Sequence, residues 1–334
     1  MKKLTLLLLI VMVFSLFMMG CKEDTVAPPP EPINEFQVLT DYLEGTGGNY
    51  LNTAAPVIID ATAVYTDLDT TSASLNQMVL DLRTTTDFSA KRIRNSRNVA
   101  LANLRTYVDS LNPQPARIVL VCYSGQTAQY GASLLRLLGR TNVTSMKWGM
   151  SAWDSTLAYN YWWTKRSNTR AGQFVTDTVA KAAIGATPTL STGKTIARDI
   201  LIARVDTLLK RGFTEASVTE ATAFGNLNGY YIMNYWTMAD YTTLGHIPGA
   251  HQYTPLYDLK LATNLKTLPI DKPVLVYCWT GQTSAAVASV LRVMGYDAKS
   301  LSYGANSMIY DVLLGAGKTT FKSTDIKNLP TVSG

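Results

Sequence analysis

A 23-residue segment occurs twice in this chain of 334 residues, and the pair constrains the fold more than any other feature. The first copy reads IVLVCYSGQTAQYGASLLRLLGR from Ile118, the second VLVYCWTGQTSAAVASVLRVMGY from Val274. Cys122 falls on Cys278, Gly125 on Gly281, Gln126 on Gln282, Thr127 on Thr283, Arg136 on Arg292 and Gly139 on Gly295, always 156 positions apart. The match extends outward. MVLDLRTTTDF from Met78 lies over YIMNYWTMADY from Tyr231, DATAVY from Asp60 resembles EATAFG from Glu220, and KWGMSAW around Trp148 meets SYGANSM around Tyr303. A repeat of about 150 residues is too long for a solenoid unit, so the chain carries a duplicated domain.

Within each copy, short uniformly apolar runs such as VLDL and VLVY suit strands buried on both faces. Between them lie stretches with helical spacing, such as Ile200, Leu201, Val205, Leu208 and Leu209, with Gly212 as the stop. Strands alternating with helices imply right-handed crossovers and an α/β fold in which helices flank a parallel sheet. Two such domains are predicted, over residues 35–175 and 176–334, with Gly139 and Gly295 ending the helices that follow the cysteines.

Cys122 and Cys278 each stand where a strand finishes and a helix is about to start, the place where open parallel sheets build their sites. The first backbone N–H groups of a helix have no partner within it and converge on whatever lies at the end of the strand. A thiolate there is favoured by those donors and by the helix dipole, which predicts a cysteine pKa below its ordinary value. Gly125 and Gly281 permit positive φ or close approach, while the Thr127 and Thr283 hydroxyls are candidate donors. Tyr123, Ser124, Trp279 and Thr280 complete the two candidate loops. The competing use of two cysteines in an exported chain is a disulfide between the repeats.

These residues carry a resemblance to the tandem rhodanese-type sulfurtransferases over roughly residues 35–330. It rests on CYSGQTA and CWTGQTS as active-site loops, on DLR at 81–83 and on LGHIPGAHQY at 244–253. The resemblance implies that a cysteine attacks the outer sulfur of a small donor, becomes a persulfide held by the loop amides, and passes that sulfur to a thiol or other thiophilic acceptor. It implies no metal and no organic cofactor. Cys278 and Cys122 are then the catalytic candidates, with Asp81, Arg83 and His246 in supporting roles.

The chain also departs from the family pattern. Repeat 1 keeps Asp81 and Arg83 but has KRIRNS where repeat 2 has GHIPGA, and repeat 2 has Asn234 and Trp236 for the Asp and Arg. Tyr123 and Trp279 occupy the place of a loop arginine, which favours polysulfide or a bulky persulfide over thiosulfate as donor. Since His246 and His251 are the only histidines, a Cys-His pair within repeat 1 is excluded, and two histidines with two split cysteines make a poor zinc site. The Cys-x5-Arg loop of phosphatases is excluded too, because Ala128 and Ser284 stand six residues after the cysteines.

Lys2 and Lys3 precede an uncharged apolar stretch over 4–19, which reads as a secretory signal over residues 1–20. Its end, Phe17-Met18-Met19-Gly20-Cys21, resembles a bacterial lipoprotein signal, with Cys21 as the lipidated new N-terminus and residues 21–34 as a proline-rich tether. The expected location is the cell envelope, at the outer membrane. Without the two signal lysines the net charge of +6 falls to +4, a weak excess. Its one dense cluster, Lys91, Arg92, Arg94 and Arg97, reads as a solvated loop, and nucleic acid is not an expected partner. The leading reading is an envelope sulfurtransferase; the alternative is a binding or sulfur-carrier module that has lost turnover.

Overall fold

The computed structural model describes residues 33–45, 57–69 and 76–334. The expected signal, Cys21 and nearly all of the tether lie outside the described residues. Among those described, no helix is long and apolar enough to cross a membrane.

Each repeat builds one five-stranded parallel sheet. In repeat 1 the strands are β1 (Ile58–Ile59), β2 (Gln77–Asp81), β3 (Arg97–Asn98), β4 (Arg117–Val121) and β5 (Val143–Met146), in the order β1-β5-β4-β2-β3. In repeat 2 they are β6 (Ser217–Val218), β7 (Tyr231–Asn234), β8 (His251–Gln252), β9 (Val274–Tyr277) and β10 (Ala298–Leu301), in the equivalent order β6-β10-β9-β7-β8. The central strands β4 and β9 carry the apolar runs before the two cysteines. Ile118, Val119, Leu120 and Val121 are buried, as are Val274, Leu275, Val276 and Tyr277. Uniform burial is what a strand covered on both faces requires. The predicted α/β class, with two parallel sheets flanked by helices, is the observed one.

Four helices fix the rest: α1 (Glu35–Glu44), α2 (Gln126–Leu137), α3 (Ala197–Arg211) and α4 (Gln282–Val293). Helices α2 and α4, which follow the cysteines, pack against one another and join the repeats through one apolar cluster that includes Tyr130, Leu134, Val287 and Leu291. As predicted, α3 buries Ile200, Leu201, Val205, Leu208 and Leu209 and is capped by Gly212.

The two ends of residues 34–334 cross over. Helix α1 precedes repeat 1 yet packs on α3 of repeat 2, burying Phe36, Leu39 and Leu43 at helical spacing. Each such side chain contributes roughly 1.5–3 kcal/mol when fully buried. Conversely, the segment after repeat 2 lies on repeat 1: Phe321 enters its core, Lys327 and Leu329 donate to the Ala152 and Trp153 carbonyls, and Val332 bridges Arg92. Between the repeats, 163–196 runs as an extended strap over repeat 2. It bonds at Ser167 to Asn306, at Val175 to His246 and at Gly185 to Lys266, and ends where Glu35 accepts from the Thr192 and Gly193 amides.

Candidate active site

The turn after each central strand wraps a sulfur in amides. Cys122 Sγ accepts from Gly125 N at 3.2 Å and Ala128 N at 3.4 Å. Cys278 Sγ accepts from Gly281 N at 3.2 Å and Ser284 N at 3.3 Å. Gly125 (φ +86°) and Gly281 (φ +79°) stand at the N-caps of α2 and α4 in the left-handed region, where a side chain is strained. Both thiols are free, so the disulfide between repeats does not form.

The hydroxyl that reaches a sulfur comes from Ser284 and not from Thr127 or Thr283. Cys278 Sγ lies 3.6 Å from Ser284 Oγ, whereas repeat 1 has Ala128 at that position. The difference stands in the sequence as QTA against QTS, where Ala128 and Ser284 exclude a phosphatase loop but give no sign that the serine hydroxyl faces the sulfur.

Both cysteines are only 3% exposed. The expected lowering of the thiol pKa fails for Cys122: desolvation pushes it up, against the amides of Ala128, Ser124, Gly125 and Thr127, which pull it down without prevailing.

The glutamines explain why the loops are buried. Gln126 Oε1 accepts from Tyr303 N of repeat 2 at 2.8 Å, and Gln282 Oε1 accepts from Trp148 N of repeat 1 at 3.3 Å. Each glutamine therefore lies over the other repeat's loop glycine. A Cβ on Gly281 would stand 2.4 Å from Gln126 Oε1, and one on Gly125 would stand 2.5 Å from Gln282 Nε2. The Gly-Gln pair of the motif is thus one reciprocal contact used twice, and the two cysteine loops face each other.

A second turn buttresses each loop. Met150 N and Ala305 N donate to the Cys122 and Cys278 carbonyls, and Ser151 and Asn306 donate to those of Tyr123 and Trp279. At Gly149 and Gly304 a Cβ would come within 2.3 Å of the Cys122 and Cys278 carbonyl oxygens. Trp162, fully buried, packs behind the first loop: it stacks on Phe321, meets Trp148 and Tyr303 edge-on, and donates to Ser124 O.

The departures from the family pattern prove to be matched substitutions behind each loop. In repeat 1, Asp81 and Arg83 form a buried ion pair at 2.7 Å, and the guanidinium lies 5.8 Å from the Tyr123 ring centre. Tyr123 OH also donates to Asp87. In repeat 2, Asn234 donates to Tyr277 OH, and Trp236 stacks on Trp279 at 3.8 Å. His246 is fully buried, stacked on Tyr241, with Nε2 on Asp177 O at 2.6 Å and Nδ1 on its neighbour's carbonyl. It pins the strap and contacts neither cysteine. Lys91 of the basic cluster is paired with Asp154 at 2.7 Å.

A cleft of about 320 Å³ opens between the repeats beside the second loop, lined by Lys147 and Trp148 from repeat 1 and by Trp279, Thr280 and Thr283 from repeat 2. Lys147 Nζ lies 4.0 Å from Asp60 and 5.4 Å from the Trp148 ring centre. The sequence gives no sign of this lysine's role, because it sits 131 positions before Cys278 and in the other repeat. Among the described residues, no group of three or more His, Cys, Asp and Glu side chains is placed to hold a metal ion.

No curated protein matches the chain. Solved structures that align with it include a rhodanese-related protein from Thermoplasma volcanium (21% identity, 35% of this chain and 98% of that one, TM-score 0.25). A thiosulfate sulfurtransferase from Pseudomonas aeruginosa aligns at 16% identity over 87% of this chain and 72% of that one, with a TM-score of 0.27. The reduced CoADR-RHD protein of Bacillus anthracis aligns at 21% identity over 40% of this chain and 23% of that one, with a TM-score of 0.26. The sequence profile of the Rhodanese-like domain matches residues 61–156 and 236–308, one stretch in each repeat and together just over half of the chain. On that match the chain belongs to the rhodanese-like domain family, and it carries the domain twice.

Proposed function

We propose that this protein is a sulfurtransferase that moves sulfane sulfur from thiosulfate, polysulfide or a persulfide donor to a thiophilic acceptor. The observation that carries the reading is the convergence of main-chain amides on the sulfur at the end of each central strand. With thiosulfate, the cysteine thiolate attacks the outer sulfur, an S–S bond forms to the protein, the donor's own S–S bond breaks, and sulfite leaves with the electron pair. The negative charge then sits on the outer sulfur of the persulfide, within reach of amides that already face the site. An acceptor thiolate attacks that outer sulfur in turn and restores the cysteine thiolate. No cofactor takes part.

Lys147 supplies, from the other repeat, the cation that neither loop contains, which brings an anionic donor such as thiosulfate back among the substrates. Because Gln126 and Gln282 close the loops over one another, turnover requires these contacts to part. Export and lipid attachment at Cys21 are part of the same proposal and place the enzyme in the cell envelope. Labelling with a fatty acid tests them, since a Cys21→Ser chain should take up none.

The second reading, a binding or sulfur-carrier module, is favoured by the burial of both cysteines. Transfer to cyanide or a dithiol separates the two. Loss of transfer in Cys278→Ser is expected for the enzyme, whereas a chain that shows no transfer at all, with its thiols verified as free, is a binder.

A further inference from the structure

The two sulfurs share their amide cradle and their burial but not their hydroxyls. Behind Cys278, Ser284 Oγ is 3.6 Å from the sulfur and 2.8 Å from Ser300 Oγ. Both serines are fully buried, and among the described residues the only other acceptor either hydroxyl meets is the Gly281 carbonyl, at 3.2 Å from Ser284 and 3.4 Å from Ser300. In repeat 1 the first position is Ala128, and the strand serine equivalent to Ser300, Ser145, donates to Gln129 Oε1 at 2.6 Å instead. Among the described residues no hydroxyl hydrogen-bonds to Cys122; the Tyr303 phenol of repeat 2 interacts with it through charge alone, which adds to the upward push of burial on that phenol.

We propose that Ser284 and Ser300 form a buried hydroxyl chain that stabilises the Cys278 thiolate and makes Cys278, not Cys122, the cysteine that takes up sulfur. The proposal rests on the sulfur-transfer reading and names the residue that separates the two loops. In the thiol form the S–H donates to Ser284 Oγ. When the thiol proton leaves to solvent, the Ser284 hydroxyl rotates to donate to the sulfur and accepts from Ser300, so the chain reorients without gaining or losing a proton. A hydrogen bond to an ion is about twice as strong as one between neutral groups, so the chain favours the ionised sulfur. Once the persulfide forms, the inner sulfur is neutral and the hydroxyls return to the Gly281 carbonyl. In repeat 1 burial pushes the Cys122 thiol up, so there amides alone do not offset desolvation.

Ser284 touches the reacting atom and is assigned as a catalytic residue; Ser300 acts through it and is a positioning residue. The test uses the full chain, with iodoacetamide and thiosulfate as probes and peptide mass spectrometry to read Cys122 and Cys278 separately. At neutral pH, Ser284→Ala should slow alkylation and persulfide loading of Cys278 on the order of tenfold, the effect of losing one hydrogen bond to a charged group. Ser300→Ala should slow both less, and Ala128→Ser should speed the alkylation of Cys122. Alanine at 284 is safe for the fold, since repeat 1 carries it at the equivalent place. Unchanged Cys278 alkylation in Ser284→Ala overturns the proposal even if sulfur transfer is intact. A chain that loads no sulfur overturns the transfer reading, while alkylation still judges the hydroxyl chain.

Discussion

The two repeats hold their cysteines in the same cradle and surround them with different chemistry. Around Cys122 the supports are charged: a buried Asp81–Arg83 pair, a guanidinium near the Tyr123 ring, and Asp87 on the tyrosine hydroxyl. Around Cys278 the groups behind the loop are neutral, Asn234 on Tyr277, the Trp236–Trp279 stack and a hydroxyl pair behind the sulfur, and the charge lies in front, where Lys318, paired with Asp240, sits 5.6 Å from the Trp279 ring centre. The loop backbone answers to one requirement, a turn that aims amides at a sulfur, and duplication has kept it. The side chains behind it answer only to local packing, and they have changed together so that neither site is left with an unpaired charge. What looks in the sequence like an eroded motif in each repeat is, in the fold, a pair of dissimilar solutions, the second of which leaves Asn234 Oδ1 and Trp236 Nε1 buried without a partner.

The contact between loops is where this comparison breaks most readily. Gly281→Ala and Gly125→Ala each force a Cβ into the left-handed region and against the other repeat's glutamine. Each should cost about 2–3 kcal/mol in denaturant unfolding, and to a similar extent if the contact is truly reciprocal. A cost in only one of them would show that the symmetry is apparent.

Glu35 tests the crossing of the chain ends. Burial raises its pKa, but the Thr192 and Gly193 donors outweigh that and leave it below the ordinary 4.5. A carboxyl with a lowered folded value stabilises fully above its unfolded value and loses that contribution as pH falls through the folded one. Glu35→Gln should therefore cost about 1.5–2 kcal/mol at neutral pH, with the gap to the parent closing as the pH drops below 4.5. A gap independent of pH would contradict the assignment.

A smaller effect sharpens the loop contact itself. Gln282→Ala removes two cross-repeat bonds, one from Trp148 N and a longer one to Gly125 O, about 1–2 kcal/mol together, and should speed alkylation of both cysteines. Raising the pH should then speed Cys122 most above the ordinary thiol value of 9.0, because burial holds its pKa up. The smallest change is expected from Lys147→Gln: a few-fold rise in KM for thiosulfate, as an exposed charge pair worth about 0.2–1 kcal/mol allows, with kcat kept. An equal rise for an uncharged polysulfane donor would assign the lysine to packing.

Much of this was legible in the residues. The periodicity of the apolar runs and the fixed offset between copies specify the strands, the long helices and their glycine ends, because those depend on neighbours in sequence. The crossing of the ends was not legible, since the stripe of Phe36, Leu39 and Leu43 says that α1 packs and not on what. Nor was the burial of the sulfurs, which goes with Gln126 meeting Tyr303, 177 positions on, and Gln282 meeting Trp148, 134 positions back. The Cys122 thiol pKa was misjudged for a related reason: local amides can be counted in a sequence, whereas desolvation by burial in the fold cannot.

The most direct measurement is to incubate the full chain with thiosulfate, digest it under non-reducing conditions and weigh the peptides. One added sulfur on the Cys278 peptide, with the Cys122 peptide unmodified, is the expected result. Sulfur on Cys122 alone, or on neither peptide while both thiols are free, would contradict a transferase that works through the second loop.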